Sequence, residues 1–302
     1  MEDMIKRIRA EKFDALLYNE IGTRTANFIL PFFRLAPVQC GYWCGAASRS
    51  PEKDYFISSD LVEPENGQDY VIEKLVRLKS PLIHFTPSRM PAALNSRSFY
   101  GLPETAHIYY CFQNLHKLHP DTDEVFGNIL RRDPDGMILL LEGSAPDWSE
   151  ALMNRLRSAI PDVAGRVGMI PRMLKRDYLN VLALSDVILD SIHHNGGTTS
   201  YESLTAGAPI VTWPSRIGFG RYMSALYGKM NVMDCVASSL EEYVDIAVRL
   251  GTDPSFRESV KSKILASRHL VFEDMEFVRE MEKFLENAVV EARRADPRRA
   301  AQ

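Results

Sequence analysis

Between Ala106 and Met230 the chain alternates short apolar runs with stretches of helical periodicity, and this alternation constrains the fold more than any other feature. Strand-length runs lie at Ala106–Tyr110, Met137–Leu141, Arg166–Ile170, Val187–Asp190 and Pro209–Trp213. The helical patterns that follow them are Thr122–Arg132, Trp148–Ile160, Lys175–Leu184, Thr199–Ala206, ended by Gly207, and Ile217–Met230. Strands alternating with helices of about 8–14 residues signify parallel βαβ units. Right-handed crossovers then give an α/β, doubly wound parallel sheet with helices on both faces.

Three further helices follow. Ser239-Leu-Glu-Glu242 is a capping box, Tyr243, Ile246, Ala247 and Leu250 line one face behind it, and Gly251 marks the stop. Another helix begins after Asp253-Pro254, with proline in its first turn. The last, about Asp274–Arg294, is amphipathic through Phe277, Met281, Phe284, Leu285 and Ala288 and is expected to pack back over the chain. Before residue 100 the pattern thins to strands at Phe13–Tyr18, Val38–Trp43 and Tyr55–Ser59. Pro81, Pro87, Pro91 and Pro103 mark a linker. The expected organisation is therefore a partial domain over 1–80, a linker over 81–103, a main domain over 104–272, and a returning helix with a basic tail over 273–302.

The 302 residues suffice for about two domains and a sizeable core. With 45% apolar and 25% charged residues the chain is an ordinary globular one, not a disordered or disulfide-built one. A net charge of −4 gives no basic field for nucleic acid, and the one dense basic stretch (Arg293, Arg294, Arg298, Arg299) reads as a solvated end. No apolar run approaches the roughly 18 residues of a membrane span, and the N-terminus has no apolar signal core, so a cytoplasmic protein is expected. Cys40, Cys44, Cys111 and Cys235 complete no zinc pattern and read as reduced, structural thiols.

The chemistry gathers where the strand at Val187–Asp190 runs out into Asn195-Gly-Gly-Thr-Thr199 and a helix begins. In an open α/β sheet ligands bind at the carboxyl ends of strands. Glycines there let backbone approach a phosphate, and the free amides and positive dipole end of a helix favour an anion. Thr198 and Thr199 add hydroxyl donors, and Glu202, one turn on, can accept from ribose hydroxyls. Thr199-x-x-Glu202 is equally a capping box, so the residues alone leave phosphate binding and a plain helix start both open. His193 and His194 point in different directions and have no third ligand near in sequence. We expect one packed and one exposed, with no metal; His116 and His119 are expected to be solvated or supporting.

Asn195-Gly-Gly-Thr-Thr199, Glu202 and Ala206-Gly-Ala-Pro-Ile-Val-Thr212 with Pro214 resemble the nucleotide-sugar site of the O-linked N-acetylglucosamine transferase family and its Spindly-like relatives. Cys111-Phe-Gln-Asn-Leu-His-Lys117, Leu35-Ala-Pro-Val-Gln-Cys-Gly-Tyr-Trp43 and the helix around Glu241–Leu250 match further segments of that family in the same order. The resemblance implies a GT-B-like fold, its doubly wound donor domain preceded here by a truncated Rossmann-like acceptor-side domain. It implies transfer of a sugar, N-acetylglucosamine, from a UDP-sugar to a protein hydroxyl, inverting and without a metal or cofactor.

By the same resemblance Lys117 stabilises the departing nucleotide, and Asn114 lies near the diphosphate. Gly197, Thr198 and Thr199 hold the diphosphate, Lys175 and Tyr178 the base and sugar, and Glu202 the ribose. This chain departs from the family pattern at Gly197, where a histidine is usual, at Glu202, where an aspartate is, and at Tyr178, which replaces a frequent histidine and points to stacking. For Arg221 a structural role is at least as well supported as a functional one. With the acceptor-side domain expected to be represented only by its last strands, and with the sugar pocket drawing on other loops, two alternatives stay open. One is a nucleotide-sugar-binding subunit that needs a partner for turnover; the other is a transferase for another sugar or for a glycan acceptor.

Overall fold

A computed structural model of the chain describes residues 1–21, 25–45 and 50–295. Arg298 and Arg299 of the basic tail lie outside the described residues, as does the side chain of Cys44. The chain divides into two units, Met1–His84 with Asp274–Gln302, and Phe85–Glu273.

The first unit opens with helix α1 (Glu2–Ala10), strand β1 (Ala15–Ile21) and the short helix α2 (Thr25–Ile29). Strands β2 (Val38–Gly45), β3 (Tyr55–Ser59) and β4 (Lys74–Leu78) follow, and the four strands pair in parallel in the order β1-β2-β3-β4. Alternation along β1 places Leu16 and Tyr18 against Ile5, Leu30 and Leu35 on one face. Ala15 turns to the other face, with Val38, Cys40, Ile57 and Leu78. Cys40 is a free, buried thiol, which burial pushes up to about 12. Neither α1 nor β4 is marked by the sequence patterns above.

The second unit holds a five-stranded parallel sheet, in chain order β5 (His107–Cys111), β6 (Gly136–Leu141), β7 (Val167–Ile170), β8 (Val187–Leu189) and β9 (Ile210–Val211). The intervening helices are α3 (Asp121–Arg132), α4 (Pro146–Ala159), α5 (Lys175–Leu184) and α6 (Thr198–Ala206). After β9 come α7 (Tyr222–Met230), α8 (Leu240–Thr252) and α9 (Pro254–Ser267). The spatial order β7-β6-β5-β8-β9 reverses direction between β5 and β8, the topological switch point of a doubly wound sheet. Ile108, Tyr109 and Tyr110 of β5 and all of β8 are buried, as central strands covered on both faces must be. Cys111 and Cys235 are free and buried in this unit.

Three details correct the sequence reading. Gly251 does not stop α8, which runs on to Thr252; it is small because a Cβ there would meet the Tyr109 hydroxyl at 2.0 Å. The helix expected over Ile217–Met230 begins only at Tyr222, after a 3-10 turn at Gly218–Gly220. The third concerns the expected linker over 81–103, most of which is bound into the second unit. Arg97 donates to the Leu184 and Ala106 carbonyls at 2.8 and 2.7 Å and to Asp186 Oδ2 at 2.7 Å. Asp186 also accepts from the Ile108 amide at 2.8 Å and pairs with Arg257 at 3.2 Å. Prolines punctuate this segment without freeing it, because its polar groups find partners on the sheet. The boundary falls instead between His84 and Phe85.

The caps follow local chemistry. Ser239 Oγ accepts from the Glu242 amide at 3.1 Å, while Glu242 reaches back to the Ser238 amide, one residue earlier than a standard capping box. Asp253 Oδ1 caps α9 through the Phe256 amide. Gly207 ends α6 in the left-handed conformation, φ 71°, where a side chain would be strained.

The chain then returns to the first unit as α10 (Met275–Ala295). Phe277, Met281 and Ala288 recur at helical spacing and are buried against Val38, Cys40, Ile57 and Leu78. Glu280 of this helix accepts from the Ser80 hydroxyl at 2.6 Å and the Ser80 amide at 3.0 Å, fixing the end of β4 to it.

Candidate functional site

At the switch point of the second unit, two loops leave the carboxyl ends of β5 and β8. The β8 loop begins with Asp190, which is buried. Its Oδ1 accepts from the Gly196 amide at 2.9 Å and its Oδ2 from the Thr212 hydroxyl at 3.0 Å, so one carboxylate ties the loop both to itself and to the end of β9. The Tyr243 hydroxyl donates to the Asp190 carbonyl at 2.8 Å, adding α8 to the same junction. Burial pushes the Asp190 carboxyl up to about 7, against the bonds from Gly196 and Thr212 and the charge of Lys117, which pull it down.

The rest of the loop is equally held. The Asn195 amide donates to the Phe219 carbonyl at 2.9 Å, Asn195 Nδ2 to the Ser191 carbonyl at 3.0 Å, and Ser200 Oγ to the Gly196 carbonyl at 2.9 Å. Gly196 is required by close approach: a Cβ there would lie 2.6–2.8 Å from Thr199 Oγ1, Gln113 Nε2 and Ser200 Oγ.

From the β5 side, a 3-10 turn at Leu115–Lys117 presents the half-buried Lys117. Its Nζ lies 3.3 Å from the Asn195 carbonyl and 3.3 Å from Gln113 Oε1, so the ammonium is directed at the β8 loop. Gln113 is buried and joins the two charges, with Oε1 toward Lys117 and Nε2 toward Asp190 at 3.5 Å.

The start of α6 resolves the ambiguity left by its sequence. Gly197 occupies the N-cap and no side chain caps the helix, so the Thr199/Glu202 capping box does not form. Thr198 is exposed, and Gly197 and Thr199 are half-buried. Glu202, turned inward, pairs instead with Lys175 Nζ at 2.7 Å across to α5, with the lysine half-exposed. An uncapped helix start beside a directed ammonium is a positive, donor-rich place suited to a phosphate group.

The other expected residues are placed as follows. Asn114 is exposed, and its Oδ1 accepts from Arg172 at 2.5 Å; its backbone carbonyl accepts from the Lys117 amide at 2.9 Å, while the side chain of the buried Gln113 beside it accepts from the Lys117 ammonium. Tyr178 stands one turn from Lys175 with its ring edge-on to Phe112 at 6.5 Å. Its hydroxyl, like Asn195 Oδ1, is buried without a hydrogen-bond partner among the described residues. Arg221 donates to the Ser215 carbonyl at 3.1 Å and holds the turn after β9. That turn borders a cavity of about 700 Å³ lined by His193, Trp213, Pro214, Ser215, Arg216, Ile217 and Arg221.

His194 stacks on Phe219 (5.5 Å, 11°), and His193 turns the other way to Asp121. Asp190 and Gln113 are the organising residues the sequence reading did not select.

The second unit is thus a doubly wound, Rossmann-like α/β unit with its loops gathered at the switch point. The profile of the family described as "Glycosyl transferase family 41" matches residues 84–281, and the chain belongs to that family. It is similar to the probable UDP-N-acetylglucosamine–peptide N-acetylglucosaminyltransferase SPINDLY of Solanum lycopersicum, 27% identical over 290 residues that cover 91% of this chain and 30% of the relative. The chain thus spans less than a third of the length of that relative. Among solved structures, a point mutant of the Thermobaculum terrenum O-GlcNAc transferase superposes with a TM-score of 0.79 at 24% identity, over 97% of this chain and 56% of that one. Anabaena HepE, solved in complex with UDP and glucose, superposes with a TM-score of 0.65 at 13% identity, over 94% and 80%. These likenesses show the fold, which is of the GT-B class.

Proposed function

We propose that the chain is a glycosyltransferase that takes N-acetylglucosamine from a UDP-sugar and transfers it to a protein hydroxyl, with inversion, without a metal at the diphosphate, and in the cytoplasm. The observation that carries this reading is the direction of Lys117. Its ammonium faces the loop that leads into the uncapped start of α6, in a chain of glycosyl transferase family 41.

In this reading the amides and hydroxyls of Gly197, Thr198 and Thr199 receive the diphosphate, with Asn114 at its edge. Lys175 and Tyr178 border the base, and Glu202 accepts from the ribose. As the sugar–phosphate bond breaks, negative charge develops on the β-phosphate, and a fixed cation already in place lowers that barrier without reorganisation. Asp190 and Gln113 hold the loop and the lysine in register, which is the geometric part of the same effect.

Binding is tested by titrating UDP into the purified chain, with GDP as competitor, and turnover by mass spectrometry of an acceptor protein incubated with UDP-N-acetylglucosamine. Saturable UDP binding that is lost in Lys117→Ala/Thr198→Ala, with a mass increment of one N-acetylhexosamine, supports the proposal. Preference for GDP, or UDP binding indifferent to both substitutions, refutes it. UDP binding without transfer identifies the partner-dependent subunit instead.

A further inference from the structure

His193 does not face the cradle described above. Its Nε2 lies 2.8 Å from Asp121 Oδ2, and the other oxygen of that carboxylate, Oδ1, is 3.2 Å from His119 Nδ1. The two imidazoles stand nearly perpendicular, 4.8 Å apart and 87°. The three ligand-type atoms, one from each side chain, all lie within 4.8 Å of one another. Sequence reasoning rejects a metal here for want of a third ligand near His193. The fold supplies two: Asp121, the first residue of α3 and 72 positions away in the chain, and His119 just before that helix.

We propose that His119, Asp121 and His193 form a binding site for a divalent transition-metal ion of the zinc type, with three protein ligands and a remaining coordination position open. Two neutral imidazoles and one carboxylate are the donor set that zinc takes where it keeps one position for water or another ligand. With metal–ligand bonds of about 2.0–2.2 Å, tetrahedral neighbours sit roughly 3.4 Å apart. The Asp121–His193 and Asp121–His119 separations, 2.8 and 3.2 Å, fall a little short of that value, so the carboxylate contacts must open slightly and the histidine pair must close, both by side-chain rotation. His119 and Asp121 are about half-exposed and His193 is less than half-exposed, so such rotation is inexpensive.

The backbone beneath is fixed. The His119 amide donates to the Lys117 carbonyl at 3.1 Å and the Thr122 amide to the His119 carbonyl at 2.9 Å. His193 also lines the 700 Å³ cavity, which gives the open position an entry path.

The consequence of occupancy is mechanical. A bound ion would cross-link the segment that carries Lys117 to the loop that leads to Gly197, and a ligand bound only by the folded state raises its stability by mass action. The metal proposal does not depend on the sugar-transfer reading, because it requires only these three side chains.

The test uses the untagged full chain, stripped with chelator. Zn²⁺ is titrated by calorimetry, and Co²⁺ by its visible d–d absorption, with thermal unfolding followed with and without Zn²⁺. The expected result is one ion per chain, an absorption typical of a low-coordinate Co²⁺ site, and a zinc-dependent rise in Tm. All three should vanish in His119→Ala/His193→Ala and in Asp121→Ala, and persist in Lys117→Met. If an alanine variant fails to fold by circular dichroism, His193→Gln replaces it. Binding that survives in the double variant, or no binding by the parent chain, overturns the proposal.

Discussion

The carboxylate of Asp190 accepts the backbone amide of Gly196 at 2.9 Å, closing the loop after β8 upon its own first residue. The bond shapes the site, and its acceptor is a buried acid whose carboxyl is pushed from the ordinary 3.8 up to about 7.

The sign of the resulting pH dependence is fixed. The folded chain holds the Asp190 proton more tightly than the unfolded chain does, so this group's contribution to stability is full below about pH 4 and is lost as the pH rises toward 7. Asp190→Asn removes the charge but keeps an oxygen for Gly196. Urea unfolding at several pH values should show a decline toward neutrality in the parent chain, on the order of a few kcal/mol at most, that is flattened in the variant. An unchanged slope would show that Asp190 titrates normally.

Gly196→Ala should distort the loop, since the added methyl would lie 2.6–2.8 Å from three polar side-chain atoms. The expected cost is about 1–3 kcal/mol in denaturant unfolding, of the size seen for overpacked sites. UDP affinity should fall alongside it, as read by calorimetry.

Lys117→Ala removes the cation directed at the Asn195 carbonyl. If that cation stabilises the leaving group, kcat should fall by about 10²–10³-fold, as for loss of a preorganised charge-stabilising donor. KM for the donor should change much less. A loss of donor affinity with kcat unchanged would assign the lysine to binding alone.

Lys175→Ala and Glu202→Gln each break the 2.7 Å ion pair between α5 and α6. Because the lysine is half-exposed, stability should change by less than about 1 kcal/mol. UDP affinity should weaken about tenfold in each, roughly 1.4 kcal/mol. A double variant no weaker than either single one would show that the pair acts as a unit.

Much of the second unit was legible in the chain because local rules and packing agree there. Lys175–Leu184 has the same limits in sequence and in structure, and β6 is an apolar run with Ile138, Leu139 and Leu140 buried at its centre. The first unit was harder to read. β4 is Lys-Leu-Val-Arg-Leu at a sheet edge, mostly half-exposed, and α1 buries a single residue, Ile5, so neither carries a strong apolar period.

At the site, the loop and helix start were readable from glycines and threonines. Gln113 was passed over for its neighbour Asn114, because register alone does not tell which amide turns inward. Asp190 reads in sequence only as the residue where a strand runs out, and the sheet around it shows a buried acid. The His119, Asp121 and His193 cluster is a product of topology. Two loops far apart in sequence meet because β5 and β8 are neighbours.

The return of α10 to the first sheet has a bearing on biosynthesis. Val38, Cys40, Ile57 and Leu78 leave the ribosome long before Phe277 to Ala288, the residues that cover them, are made. That greasy surface stays uncovered while nearly two hundred intervening residues are translated. A fragment cut after His84 would inherit the exposure permanently and should clump rather than dissolve, so the first sheet must be kept together with α10 to be handled in solution.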